Sequence, residues 1–423
     1  MNKKLALTII LSVAFLVSFV QSKETEVVAI KGARIIPVVG EEIPQGVILI
    51  KGSKIEAVGT EVLIPDGARV VDASGLKAYP GMIDGFSFLG LMEISTIRAT
   101  VDVRETGDIN PQALAFEALR PDSMHIPIAR ANGITASLVC PSGGLIAGQS
   151  GLIKLDGWTP GEMIIKAPVA MHIEFPSIRA RTRRGGSADT EPASKQIEEL
   201  KELFKEARYY QNRREYAKQN LLLPLPNFDL KLESLLPVIQ GELPVIISVH
   251  AEKDIKDVIN FVNEEKLDAI LFGVTEGWKV VDEIAEAGFP VIMGTLTAMP
   301  PKWEDGYDAL YRLPSYLQKA GVKIAFSSQS ASLAKDFPYQ AAKAAAFGLP
   351  KEEALKAVTL YPAQIFGVAH LMGSLEKDKL ANIVLCDGDI LELRTSIKHV
   401  FIEGQEVDLA NRYTELLEKY KKR

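Results

Sequence analysis

Histidine is scarce in this chain: there are five in 423 residues. That leaves little material for a site of clustered imidazoles, and no His-Glu-x-x-His occurs to place two of them on one helical face. Cysteine is rarer still, with Cys140 and Cys386 alone, so a fold stapled by disulfides is excluded. Both lie in apolar strand-like runs, Ser137-Leu-Val-Cys140 and Ile383-Val-Leu-Cys386, where a small buried residue is the expectation. Cys-x-x-Cys and Gly-x-Ser-x-Gly are missing, as are low-complexity tracts and short repeats. Positive charge is not in excess either. The formal net charge of -6 argues against nucleic acid or an anionic membrane as the main partner.

Long hydrophobic runs are absent except at the start. Lys3 and Lys4 precede an uncharged stretch from Leu5 to Val20, and Val20-Gln21-Ser22 leads into polar Lys23-Glu24. This is the three-part pattern of a secretory signal peptide, and the run is short of the ~20 residues that span a bilayer. Cleavage after residue 22 is expected, with the protein exported to a periplasmic or extracellular space and no stable membrane insertion afterwards. Losing Lys3 and Lys4 and no acid takes the formal charge from -6 to -8.

What remains has the makings of a large globular protein, with 47% hydrophobic and 24% charged residues. Residues 23–80 and 368–410 read as short β-branched strands joined by tight turns, such as Lys51-Gly-Ser-Lys54. They predict one small composite β-sandwich built from both ends of the chain. Between them, residues 81–367 alternate apolar strands with amphipathic helices. Strand-like runs fall at Met82–Phe86, Thr135–Cys140, Val169–Ile173, Val245–Val249, Ala269–Phe272, Pro290–Met293 and Val322–Phe326, with Leu152–Leu155 as an eighth. Helical stretches include Ala193–Asn220, where Ile197, Leu200, Phe204, Ala207 and Gln211 mark one face. The pattern predicts a TIM-like (β/α)8 barrel. A doubly wound sheet would open with a Gly-rich turn after its first strand, and none is there. Residues 411–423 read as a C-terminal helix or tail.

Six segments in order carry a family resemblance: Tyr79-Pro-Gly-Met-Ile-Asp84, Ala131-Asn-Gly-Ile-Thr135, Gly143-Gly-Leu-Ile-Ala-Gly-Gln-Ser150, Val249-His-Ala-Glu-Lys-Asp-Ile255, Lys351 to Ala363, and Gly373-Ser-Leu-Glu376. Together they resemble the amidohydrolase superfamily, and the Gly143–Ser150 loop its imidazolonepropionase-like branch. The resemblance implies one or two divalent metals at the barrel mouth. Two His of the first strand, a Lys or Glu of the fourth, one His each of the fifth and sixth and an Asp of the eighth would hold them. Such an ion lowers the pKa of a bound water toward 7, and the Asp takes the proton.

The matching positions here hold mostly other residues. Phe86 and Phe88 stand where the first-strand His pair belongs, Thr275 near the sixth-strand His, and Ser328 or Gln329 near the Asp. His250 alone matches. His172 and Glu174, at the end of another strand, are secondary pocket candidates, as are Glu252 and Glu276 just past strand ends; each has the alternative of ordinary packing or solvation. Arg179, Arg181, Arg183 and Arg184 form a basic cluster suited to a carboxylate or to a mobile loop. The acidic loop Glu93 to Pro111 is expected as a lid.

Two readings follow. In the first, the chain keeps the pocket without metal or other cofactor, as a small-molecule binder or as a partner in a homo-oligomer or a hetero-oligomer with a metal-intact relative. In the second, it is a hydrolase of carbon–nitrogen bonds, in cyclic amides or dipeptides, with a rearranged zinc site around His250, His172 and Glu174.

Overall fold

The computed structural model describes residues 26–177, 192–220, 224–298 and 304–422. The expectations for the leader, residues 1–22, and for the arginine cluster 179–184 lie outside the described residues. Five strands open the chain: β1 (Val27–Ile35), β2 (Ile43–Lys51), β3 (Lys54–Gly59), β4 (Arg69–Asp72) and β5 (Lys77–Pro80). β2 and β3 form an antiparallel hairpin. Its turn takes Gly52 to φ 60°, a conformation in which a side chain would crowd the backbone.

The middle of the chain supplies eight more strands: β6 (Met82–Ser87), β7 (Ile134–Val139), β8 (Ile146–Lys154), β9 (Ile164–Glu174), β10 (Val245–Val249), β11 (Ala269–Gly273), β12 (Val291–Met293) and β13 (Ile324–Ala325). They lie side by side in sequence order. The sheet closes on itself, because Gly85 N–H donates to the Phe326 carbonyl at 3.0 Å and Gln329 N–H to the Phe86 carbonyl at 2.9 Å. This is the expected barrel with one irregularity: β8 runs antiparallel to both β7 and β9. Only Cys140–Leu145 separate β7 from β8, whereas a parallel crossover takes a dozen residues or more.

Helices pack around the barrel: α1 (Ala193–Gln219), α2 (Leu230–Ile239), α3 (Glu252–Glu265), α4 (Val281–Ala287), α5 (Ala309–Lys319) and α6 (Phe337–Ala346). α1 buries Leu200, Phe204, Ala207 and Tyr210, and Phe204 meets Phe261 of α3 with ring centroids 6.0 Å apart. Inside the barrel a second apolar cluster runs through Ile83, Phe86, Leu138, Ile246, Ile270, Phe272 and Ile292. The lumen is thus a packed core, as small barrels require.

β14 (Ile383–Cys386), β15 (Ile397–Ile402) and β16 (Gln405–Glu406) return to the opening strands through the pairing of β14 with β5. The strands of both ends make one eight-stranded sheet over a core that includes Ile30, Ile48, Ile383 and Phe401. α7 (Arg412–Lys421) follows, started by a capping box between Asn411 and Thr414. Both cysteines are buried and free. Among the described residues, no helix is long and apolar enough to cross a membrane.

Candidate functional site

β6 delivers Phe86 to the middle of the barrel. Its ring stacks on Phe272 of β11, with centroids 4.1 Å apart and planes 7° from parallel. β6 and β11 are not neighbours in the sheet, so the pair reaches across the lumen. Phe88 meets the Phe86 ring edge-on at 5.7 Å, and His172 of β9 does the same at 5.6 Å. Offset or edge-on aromatic pairs of this kind add ~0.5–1.5 kcal/mol beyond the burial of their area.

Two polar groups are enclosed within this core. His172 is buried and its Nε2 has no partner. Burial pushes its pKa down to about 3, so the ring stays neutral. Asp84 is fully buried. One carboxylate oxygen accepts the N–H of Ser328 at 2.9 Å and of Phe86 at 3.3 Å, while Oδ2 has no partner. Burial lifts its pKa to about 7, against the lowering effect of the bonds from Ser328 and Phe86.

The mouth proper lies at the ends of β10 to β13. His250 Nδ1 and Thr275 Oγ1 are 2.8 Å apart. The His250 ring lies over Gly273, where a Cβ would come within 2.5 Å of its Cε1. Gly273 also has φ 94°, so glycine is required there on both counts. His250, Thr275 and Gln329 line a cavity of about 150 Å³, together with Met293, Thr295, Leu296, Ala298 and Leu310. The backbone around this cavity is strained. Val274 has φ 38° and Gln329 φ 54°, and a β-branched residue at positive φ is a genuine outlier. Each costs on the order of 1–3 kcal/mol, and such strain clusters at functional sites.

The remaining candidates serve the scaffold. Glu174 accepts Gly143 N–H at 2.7 Å and the Ser142 hydroxyl at 3.2 Å, fixing the loop after β7. Glu276 is buried, accepts Glu252 N–H at 2.9 Å at the start of α3 and pairs with Lys279; the Glu252 side chain lies 3.7 Å from Lys256. Ser328 Oγ donates to the Ser330 carbonyl at 3.1 Å. The acidic first loop runs along β8: Asn110 N–H donates to the Ile146 carbonyl and Gln149 N–H to the Ala113 carbonyl. His250, Thr275 and Gln329 therefore share a cavity, whereas His172 sits in the aromatic core and Glu174 on a loop.

A divalent metal does not fit this donor set. Phe86 and Phe88 present carbon where nitrogen is needed, and among the described residues no three His, Cys, Asp or Glu could hold an ion. Sequence reasoning missed Phe272 and the walls Met293 to Ala298. In the sequence Asp84 shows only as the end of the Tyr79–Asp84 motif; its place between apolar residues in a run destined for the core is the available signal of its burial.

Comparison with known proteins gives a consistent kinship. Residues 273–407 match the model of the amidohydrolase family. "Amidohydrolase tasK" of Hapsidospora irregularis is 24% identical over 366 residues, which is 81% of this chain. The chain spans 37% of the length of that relative. The crystal structure of an amidohydrolase from Thermotoga maritima MSB8 superposes with a TM-score of 0.82 at 26% identity, covering 90% of this chain and 99% of that one. Molinate hydrolase superposes at 0.55 with 16% identity, covering 91% and 95% of the two chains. The prolidase eah89906, complexed with N-methylphosphonate-L-proline, gives 0.54 with 14%, covering 90% and 99%.

Proposed function

We propose that this chain, which belongs to the amidohydrolase superfamily, uses its barrel mouth to bind a small molecule and does not run the metal-dependent hydrolysis of that superfamily. The observation that carries this reading is the Phe86–Phe272 stack across the lumen. It fills with hydrocarbon the space in which an ion and its water would be needed. The strained, glycine-floored cavity beside His250 supports a retained pocket. Export, membership of the imidazolonepropionase-like branch and pairing with a metal-intact relative belong to the same proposal.

The second reading is an active hydrolase of carbon–nitrogen bonds, and the relatives' names weigh for it more than for the first. The amidohydrolase kinship at 26% identity and nearly full coverage is its support. His250 is then its anchor, since His172 and Glu174 are engaged elsewhere.

One experiment separates the two. The protein is purified without chelator, its metal content read by elemental mass spectrometry, and its turnover of cyclic amides and dipeptides measured. The binding reading expects no stoichiometric metal and no turnover. Metal-dependent turnover by the chain alone, abolished in His250→Ala, establishes the hydrolase instead.

A further inference from the structure

We infer that Gln329 selects the ligand of the mouth cavity, and that the ligand is a small molecule with an apolar body and a hydrogen-bond acceptor at one end. This rests on the binding reading above. Gln329 follows the last barrel strand in the left-handed region, with φ 54°, and its N–H closes the barrel on the Phe86 carbonyl. Its carboxamide cannot point either way. Thr295 N–H donates to Oε1 at 3.3 Å, and only the oxygen can accept. The two Nε2–H donors therefore face away from Thr295, on a residue that lines the cavity.

The Thr295–Leu296 segment beside it is also held by a second glutamine. Gln340 Oε1 accepts Leu296 N–H at 2.8 Å, and its Nε2 donates to Thr295 Oγ1 at 3.4 Å. With Thr295 and Leu296 pinned by two carboxamides, the geometry of the Gln329 donors is fixed before any ligand arrives, which lowers the cost of binding. Met293, Leu296, Ala298 and Leu310 supply apolar walls. Among the described residues that line the cavity there is no Asp, Glu, Lys or Arg, so the site is built for a neutral acceptor such as a carbonyl oxygen.

The test uses two aromatic probes of similar size, acetophenone and benzylammonium, titrated against the full chain by ligand-observed NMR. The unaltered protein should bind acetophenone and prefer it to benzylammonium. Gln329→Met keeps the stem and should weaken acetophenone about tenfold. Gln329→Glu keeps an oxygen for Thr295 N–H and replaces the donors by acceptors. It should lose acetophenone to a similar extent and gain benzylammonium about tenfold. A merely structural role for Gln329 would weaken both probes alike, so parallel losses overturn the inference, as does unchanged acetophenone binding in both variants. If neither probe binds the unaltered chain, the binding reading itself fails and the inference falls with it.

Discussion

Replacing Phe86 by Ala is expected to lower the stability of the protein by about 3–5 kcal/mol, the range for truncating a large buried aromatic. The upper part of that range applies because the ring is enclosed on several sides. Phe86 is 4% exposed and touches Phe272 face to face and Phe88 and His172 by their edges. Phe272 and His172 belong to β11 and β9, strands of the closed sheet, and Phe88 directly follows β6, so they cannot collapse freely into the space. Urea unfolding followed by tryptophan fluorescence and by circular dichroism measures the loss. Phe86→Leu, which retains most of the apolar volume, should recover a large part of it. If Phe86→Ala costs less than about 1 kcal/mol, the ring is not part of a packed lumen and the case against an ion there weakens. Addition of chelator to the unaltered protein should leave the unfolding midpoint where it was.

The strands that make this lumen were mostly legible because they are continuous apolar runs, as buried barrel strands are. Val245–Val249 coincides with β10, and Ala269–Phe272 falls one residue short of β11. β8 was not legible as a whole. Its first half, Ile146-Ala-Gly-Gln-Ser-Gly151, carries two glycines and reads as a loop. The reason lies in tertiary packing. A Cβ on Gly148 would meet the Ala113 carbonyl at 2.6 Å, and one on Gly151 the Phe116 side chain at 2.8 Å. The first loop presses against this strand, and glycine makes room for it. Of the site, His250, Thr275 and Gln329 could be placed because each ends or follows a strand, and strand ends converge at a barrel mouth. The partner of Phe86 could not be placed, since a contact across the lumen leaves no periodic signature in either strand. Likewise a motif records that Asp84 is acidic but not that one of its oxygens is without a partner.

That oxygen gives the second large effect, a stability difference that depends on pH. The Asp84 carboxyl has its pKa lifted to about 7 by burial, from an ordinary value of 3.8. A carboxyl whose pKa is raised in the folded state favours folding while it is protonated. Its contribution is therefore complete below pH ~4 and is lost as the pH rises through the folded value near 7. At about 1.4 kcal/mol per unit, the loss across that window is of order 4 kcal/mol. Asp84→Asn removes the titration. The amide oxygen still accepts Ser328 N–H and Phe86 N–H, and the amide nitrogen takes the place of an oxygen that already lacks a partner. The variant should thus gain on the unaltered protein steadily between pH 4 and pH 7, and hold a constant advantage above. A fixed penalty for burying the unpaired amide, ~1–3 kcal/mol, would shift the whole difference without changing its slope. Parallel stability curves for the two proteins over pH 4–8 would mean that Asp84 is ionised throughout.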